Sequence, residues 1–158
     1  MSDAIINKVS SSPLITIDLE DFKTEGPRIF IDVSQWLEDE FLLREKPFRA
    51  ILKNHDWAKY KKHHIALDCP ADIVLPAWAT LLITTYLTPY AATINLGSLM
   101  DLEKKLFSNT ISSLDLNIFK NKPLMIKGCS DPSIPEAAYI QLVQRLQKRV
   151  IMVFGLNL

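Results

Sequence analysis

Pro123-Leu124-Met125-Ile126-Lys127-Gly128-Cys129-Ser130-Asp131-Pro132-Ser133-Ile134-Pro135-Glu136 reads as a short strand, a loop carrying a thiol, and the start of a helix. The apolar run 123–126 suits a buried parallel strand, and downstream Tyr139, Ile140, Leu142, Val143 and Leu146 recur at helical spacing. Ser133 and Glu136 match a capping box, with Pro135 tolerated in the first turn. The loop therefore lies at a strand's C-terminal end. Ala66-Leu67-Asp68-Cys69-Pro70-Ala71-Asp72-Ile73-Val74-Leu75-Pro76 repeats the order: a strand, a Cys, an Asp, then aliphatic residues and a Pro opening a helix.

Working outward, strands are expected at 64–69, 92–96 and 150–154, and helices at 76–87, 99–109 and 134–149. Ser98 and Asp101 mark the entry of the middle helix, and Leu99, Leu102 and Leu106 its buried stripe. Residues 110–121 read as a connector with room for one extra turn. Four apolar strands joined by three helices predict a parallel sheet with right-handed crossovers. Ahead of this core, 14–19 and 28–33 are β-rich and Glu25-Gly26-Pro27 is a turn signal, so a strand pair, read as a hairpin, is expected. Ser34 caps a short helix through Glu38, Pro47 opens a second with Phe48, Ile51 and Leu52 on one face, and His55 ends it. Residues 10–13 read as a loose lead-in. The expected class is α/β: a small open, mainly parallel sheet with helices on both faces and an N-terminal strand pair added. One domain is expected over 1–158, with 1–55 an addition to a βαβαβαβ core at 60–155.

At 158 residues, 48% hydrophobic and 23% charged, the chain can bury roughly two thirds of its unfolded surface without metals or disulfides. Its 18 basic and 18 acidic residues cancel, so no global field recruits nucleic acid or an anionic membrane, and neither is an expected partner. Residues 73–100 hold no charged side chain, but Pro76 and Pro89 bracket only about a dozen residues against the roughly 20 that a span needs. A buried helix and a buried strand are expected there instead. Two cysteines, and a Met1-Ser2-Asp3-Ala4 start without a basic, apolar leader, point to a reducing cytoplasm and no structural disulfide. No G-x-G-x-x-G, Walker loop, C-x-x-C or H-E-x-x-H occurs, and four glycines supply a phosphate loop poorly.

Cys69 and Cys129 both fall at strand ends where open parallel sheets bind ligands. In a 2-1-3-4 strand order the preceding strands are neighbours, about 4.8 Å apart, and the thiols face each other. Each also precedes a helix N-terminus, whose positive end stabilises thiolate. Three chemistries compete. Contact with zinc or an iron-sulfur cluster uses both thiolates with Asp72 and Asp131, or help from Asp68, His64 or another chain. Redox or sulfur-carrier chemistry needs only accessible thiols. Covalent catalysis needs a base, and His64 lies at the wrong end of its strand to serve Cys69, which makes this the weakest of the three.

The plainer readings stand beside these. Reduced cysteine is among the most buried residue types, and Asp72 and Asp131 suit loop or helix-entry roles. His63 and His64, after Lys61-Lys62, read as a solvated strand entrance; His55 ends a helix, or forms a proton-transfer pair with Asp56 if a cleft encloses them. Trp36, Trp57 and Trp78 read as core or interface fillers, Trp78 as buried. The basic residues of 59–62 and 144–149 complement helix ends. The rival function is a non-catalytic interaction module with structural cysteines, binding through an apolar surface near Trp36 or Trp57. A third reading, an enzyme using His55, Asp68 and Asp131 in a strand-end cleft, leaves catalysis open.

Leu19-Glu20-Asp21-Phe22, Phe30-Ile31-Asp32-Val33-Ser34-Gln35-Trp36-Leu37, Asn54-His55-Asp56-Trp57, Cys69-Pro70-Ala71-Asp72, Pro76-Ala77-Trp78-Ala79 and Lys127-Gly128-Cys129, in this order and spacing, resemble the bacterial family catalogued as domain of unknown function 2480. The resemblance runs along nearly the whole chain. It implies no defined activity, but it does imply genes near those of iron-sulfur cluster assembly, and so assembly proteins as partners, with homo-oligomers also expected. It further implies a Gly-x-Pro-Cys tail after the last strand, where this sequence reads Phe154-Gly155-Leu156-Asn157-Leu158. A three-cysteine family site would lack one ligand here.

Overall fold

The chain folds into two compact units, Glu25–Leu102 and the combination of Met1–Thr24 with Glu103–Leu158. The computed structural model describes residues 14–70, 72–127, 131–147 and 151–154. Cys129, the lead-in 10–13, the last residues of the expected final helix and the tail 155–158 lie outside this set. The α/β class stands, and the named strands pair in parallel throughout. They divide between two open, three-stranded sheets.

The Glu25–Leu102 unit holds β2 (Arg28–Asp32), α1 (Glu45–Asn54), β3 (His64–Asp68), α2 (Ala77–Leu87) and β4 (Thr93–Leu96), with the start of α3 (Leu99–Ser112). The sheet order is β2-β3-β4. Ile29 is in register with Ile65, and Ile31 with Leu67, so these aliphatics line one face. On that face pack Phe48 and Leu52 from α1 and Ala79, Ile83 and Leu87 from α2, each set spaced by four residues. Each fully buried Phe, Leu or Ile among these contributes about 1.5–3 kcal/mol relative to exposure. β3, flanked on both sides, is buried from His64 through Leu67, whereas β2 and β4 are edge strands and only partly covered.

The other unit holds β1 (Ile15–Asp18), α3 beyond Leu102, β5 (Pro123–Lys127), α4 (Glu136–Leu146) and β6 (Ile151–Phe154), in the sheet order β1-β5-β6. Ile17, Leu124 and Ile126 meet Phe107 and Ile111 of α3 and Ala138, Leu142 and Leu146 of α4. Arg145 donates to the carbonyl oxygens of Ile111 and, at 3.3 Å, Leu114; Gln141 donates to Ser108 O at 3.2 Å. Side chains of α4 therefore donate to backbone carbonyls in the last turns of α3 and just beyond it.

Several expectations are corrected. β1 and β2 form no hairpin: after β1 the chain enters a 3-10 turn at Leu19–Phe22, capped by Asp18, and each strand joins a different sheet in parallel. The 2-1-3-4 order is also absent, since β3 pairs with β2 and β4, and β5 with β1 and β6. Ser133 does not cap α4, because the helix starts only at Glu136 and Pro135 takes the N-cap position. The capping box forms instead at α3, where the Ser98 N–H donates to Asp101 Oδ2 at 2.9 Å and the Asp101 N–H to Ser98 Oγ at 3.2 Å. Ile51, Leu99 and Ile140 turn outward from their helices, and Trp78 is only half-buried, with the Arg49 guanidinium 5.1 Å from its ring centre.

Candidate functional site

β2 and β3 end together, with Asp32 in register with Asp68, and Leu96 closes β4 beside Leu67. Just past these ends Val33, Asp68, Cys69, Ile73, Leu75, Thr80 and Leu96 line an open cleft of about 180 Å³. The cleft thus lies outside the carboxyl edge of a parallel sheet, the edge at which open parallel sheets bind ligands. Asp68 Oδ1 accepts the Cys69 N–H at 2.8 Å, which holds the chain as it leaves β3. Asp32 Oδ1 likewise accepts the Ser34 N–H at 2.8 Å. Each carboxylate therefore has one oxygen committed to the backbone. Cys69 is half-buried, packed against the core on one side and facing the cleft on the other. Thr80, in the first turn of α2, brings a hydroxyl to the same space, and α2 starts after Pro76 without a side-chain cap. A sulfur, a carboxylate and a hydroxyl in an otherwise aliphatic wall can hold a small, soft group.

Asp72 and Asp131 are not among the residues that line this cleft. Asp72 is exposed. Asp131 belongs to the other unit, where its Oδ1 accepts the Ser133 N–H at 2.8 Å and hydroxyl at 2.7 Å. Those bonds, the hydroxyl's first, and the nearby Lys23 ammonium hold its carboxyl below the ordinary value. Cys129 lies outside the described residues, and the strands that precede the two cysteines are not neighbours, so strand adjacency does not bring the thiols together. Among the described residues no three His, Cys, Asp or Glu side chains group as a metal centre.

His64 is buried rather than solvated. Its Nε2 lies 2.7 Å from Glu25 O, which can only accept, so Nε2 carries the hydrogen and Nδ1 accepts from the Thr93 hydroxyl at 3.1 Å. Both ring nitrogens are committed to structure, at the end of β3 opposite Cys69. His55 sits among Trp36, Trp57 and Tyr60, with ring centres 5.3, 4.6 and 5.8 Å away, and its Nε2 is 3.0 Å from Tyr60 Oη. Burial, then the Lys59 charge, push its pKa down against a smaller opposing pull from Asp56. Trp57 Nε1 donates to Leu52 O at 2.7 Å, which ties the same cluster to α1.

Thr80 and Leu96 line the cleft and were passed over in the sequence reading. Nothing local marks Thr80 or Leu96, which reach the cleft through the crossover of α2 and the register of β4. No helix of the described residues is long and apolar enough to cross a membrane. A family model described as a protein of unknown function (DUF2480) matches residues 3–156, and the chain belongs to that family. No curated protein and no solved structure matches it.

Proposed function

We propose that the protein handles a soft ligand, a thiophilic metal ion or a sulfur species, through Cys69 at the carboxyl edge of the β2-β3-β4 sheet. The observation that carries this reading is the open cleft where Cys69 meets Asp68 and Thr80. Anionic sulfur there lies near the positive end of α2, and a divalent ion binding it displaces the thiol proton to solvent. One thiolate supplies fewer donors than a closed zinc or iron-sulfur centre requires. The remaining ligands then come from Cys129 or from a second molecule, which fits transfer to an iron-sulfur assembly partner better than permanent storage.

The test is thiol titration and zinc or cadmium binding by the full chain, its Cys69→Ser and Cys129→Ser variants and the double variant. Cys69→Ser is expected to abolish metal binding and the fast-reacting thiol. Equal binding by native protein and Cys69→Ser, or no binding by either, refutes the proposal.

A second reading has its own observation. Trp36, Leu37, Pro47, Phe48 and Ile51 floor a groove of about 230 Å³ that Glu38 and Arg44 flank, and Phe41 beside it is 62% exposed. Paired backbone hydrogen bonds between Glu38 and Leu42 close the intervening loop, with Asp39 and Glu40 in left-handed conformation. A partner peptide seated there would lose affinity on Phe41→Ala without any change at Cys69.

A further inference from the structure

Residues 73–100 contain no charged side chain, in a chain of which 23% is charged. Burial was the expected explanation, and it fails at six large residues. Val74 is 97% exposed, Leu96 66%, Leu81 64%, Leu99 45%, Met100 42% and Tyr90 39%. A helix facing water ordinarily carries charge on its outer side. α2 buries Ala79, Ile83 and Leu87 and leaves Ala77, Leu81 and Thr85 exposed, none of them charged. β4 is a sheet edge, and its Thr93-Ile94-Asn95-Leu96 lacks the lysines and prolines that discourage edges from pairing.

We infer that this uncharged face of the Glu25–Leu102 unit is a self-association surface, covered by a second copy of the chain. Charge selects this occupant. A two-fold axis sets a patch against itself, so any charge near the axis meets its own sign, and a patch without charge avoids that repulsion. A basic or acidic partner would find no counter-charge between Asp72 and Asp101. These six exposed residues, with the exposed Ala77, Thr85 and Thr88, supply apolar surface toward the roughly 800 Å² per partner that a stable interface buries.

The face is continuous with the cleft mouth. Leu96 is both cleft wall and exposed patch, and Val74 lies between the lining residues Ile73 and Leu75. A copy seated there covers the opening over Cys69, so association shields that thiol whether or not it binds a ligand.

Sedimentation velocity on the full chain across a concentration series tests the inference, with Val74→Asp and Leu81→Glu as variants. Both positions are too exposed for the substitutions to disturb the core, and far-UV circular dichroism checks this. The native chain is expected to be dimeric, each variant monomeric with an unchanged spectrum, and Cys69 to react at least tenfold faster with a thiol reagent in the monomers. A native chain that stays monomeric at the highest concentration overturns the inference. So does a dimer that both folded variants retain, which would place the interface elsewhere. Failure of metal binding to Cys69 leaves these outcomes unaltered.

Discussion

Gly97→Ala should destabilise the Glu25–Leu102 unit more than its small size suggests. Gly97 follows β4 with φ of +123°, and its N–H still donates to Leu67 O at 2.9 Å. A Cβ built there would stand 2.5 Å from Asp101 Oδ2 and 3.0 Å from Asp101 Cβ. Asp101 cannot retreat without breaking its bonds to the Ser98 N–H and hydroxyl, both 2.9 Å, which form the capping box of α3. Backbone strain of about 1–3 kcal/mol combines with a lost cap of about 1 kcal/mol, giving about 2–4 kcal/mol in all. Trp36, Trp57 and Trp78 all lie within Glu25–Leu102, so tryptophan fluorescence in urea reports on this unit. With a slope of about 1–3 kcal/mol per M, the midpoint should fall by on the order of 1–2 M. Asp101→Ala alone should cost about 1 kcal/mol, and Gly97→Ala should cost about 1 kcal/mol less in that background, since the closest clash is gone. A Gly97→Ala protein within about 0.5 kcal/mol of native, or strictly additive effects in the double variant, would refute the capping argument.

Arg145→Met, which keeps the stem but removes the donors to Ile111 O and Leu114 O, should lower stability by about 1.5–3 kcal/mol. Thermal melts followed by circular dichroism would show it, and an unchanged transition would mean those carbonyls need no partner. His55 has a folded-state pKa below its ordinary 6.5, so the unfolded chain binds the proton more readily. Its contribution to stability is complete above pH 6.5 and is lost as pH falls through the lowered value. Stability measured from neutrality down to about pH 5 should therefore decline, with a shallower slope in His55→Gln; equal slopes would remove His55 as the cause.

The class and most of the local elements were legible in the residues alone. Strand-to-helix punctuation at Cys69 to Pro76 and the aliphatic runs of β3 and β5 forced parallel strands with helical crossovers. The strand-end position of Cys69 beside Asp68 followed from the same residues, because a chain leaving a parallel strand turns into its helix at the carboxyl edge. Hydrophobic periodicity says which face of an element is buried. It does not say which partner buries it. Tertiary structure alone decided that β1 pairs with β5 across most of the chain, while β2, its neighbour in sequence, pairs with β3. That choice put β3 and β5 in different sheets, so the strand adjacency that a single sheet would have supplied is absent. The uncharged run 73–100 shows the same limit from the other side. Composition marks such residues as shielded from water, yet whether the shield is the chain's own core or another molecule depends on packing, and six of its large side chains stand exposed.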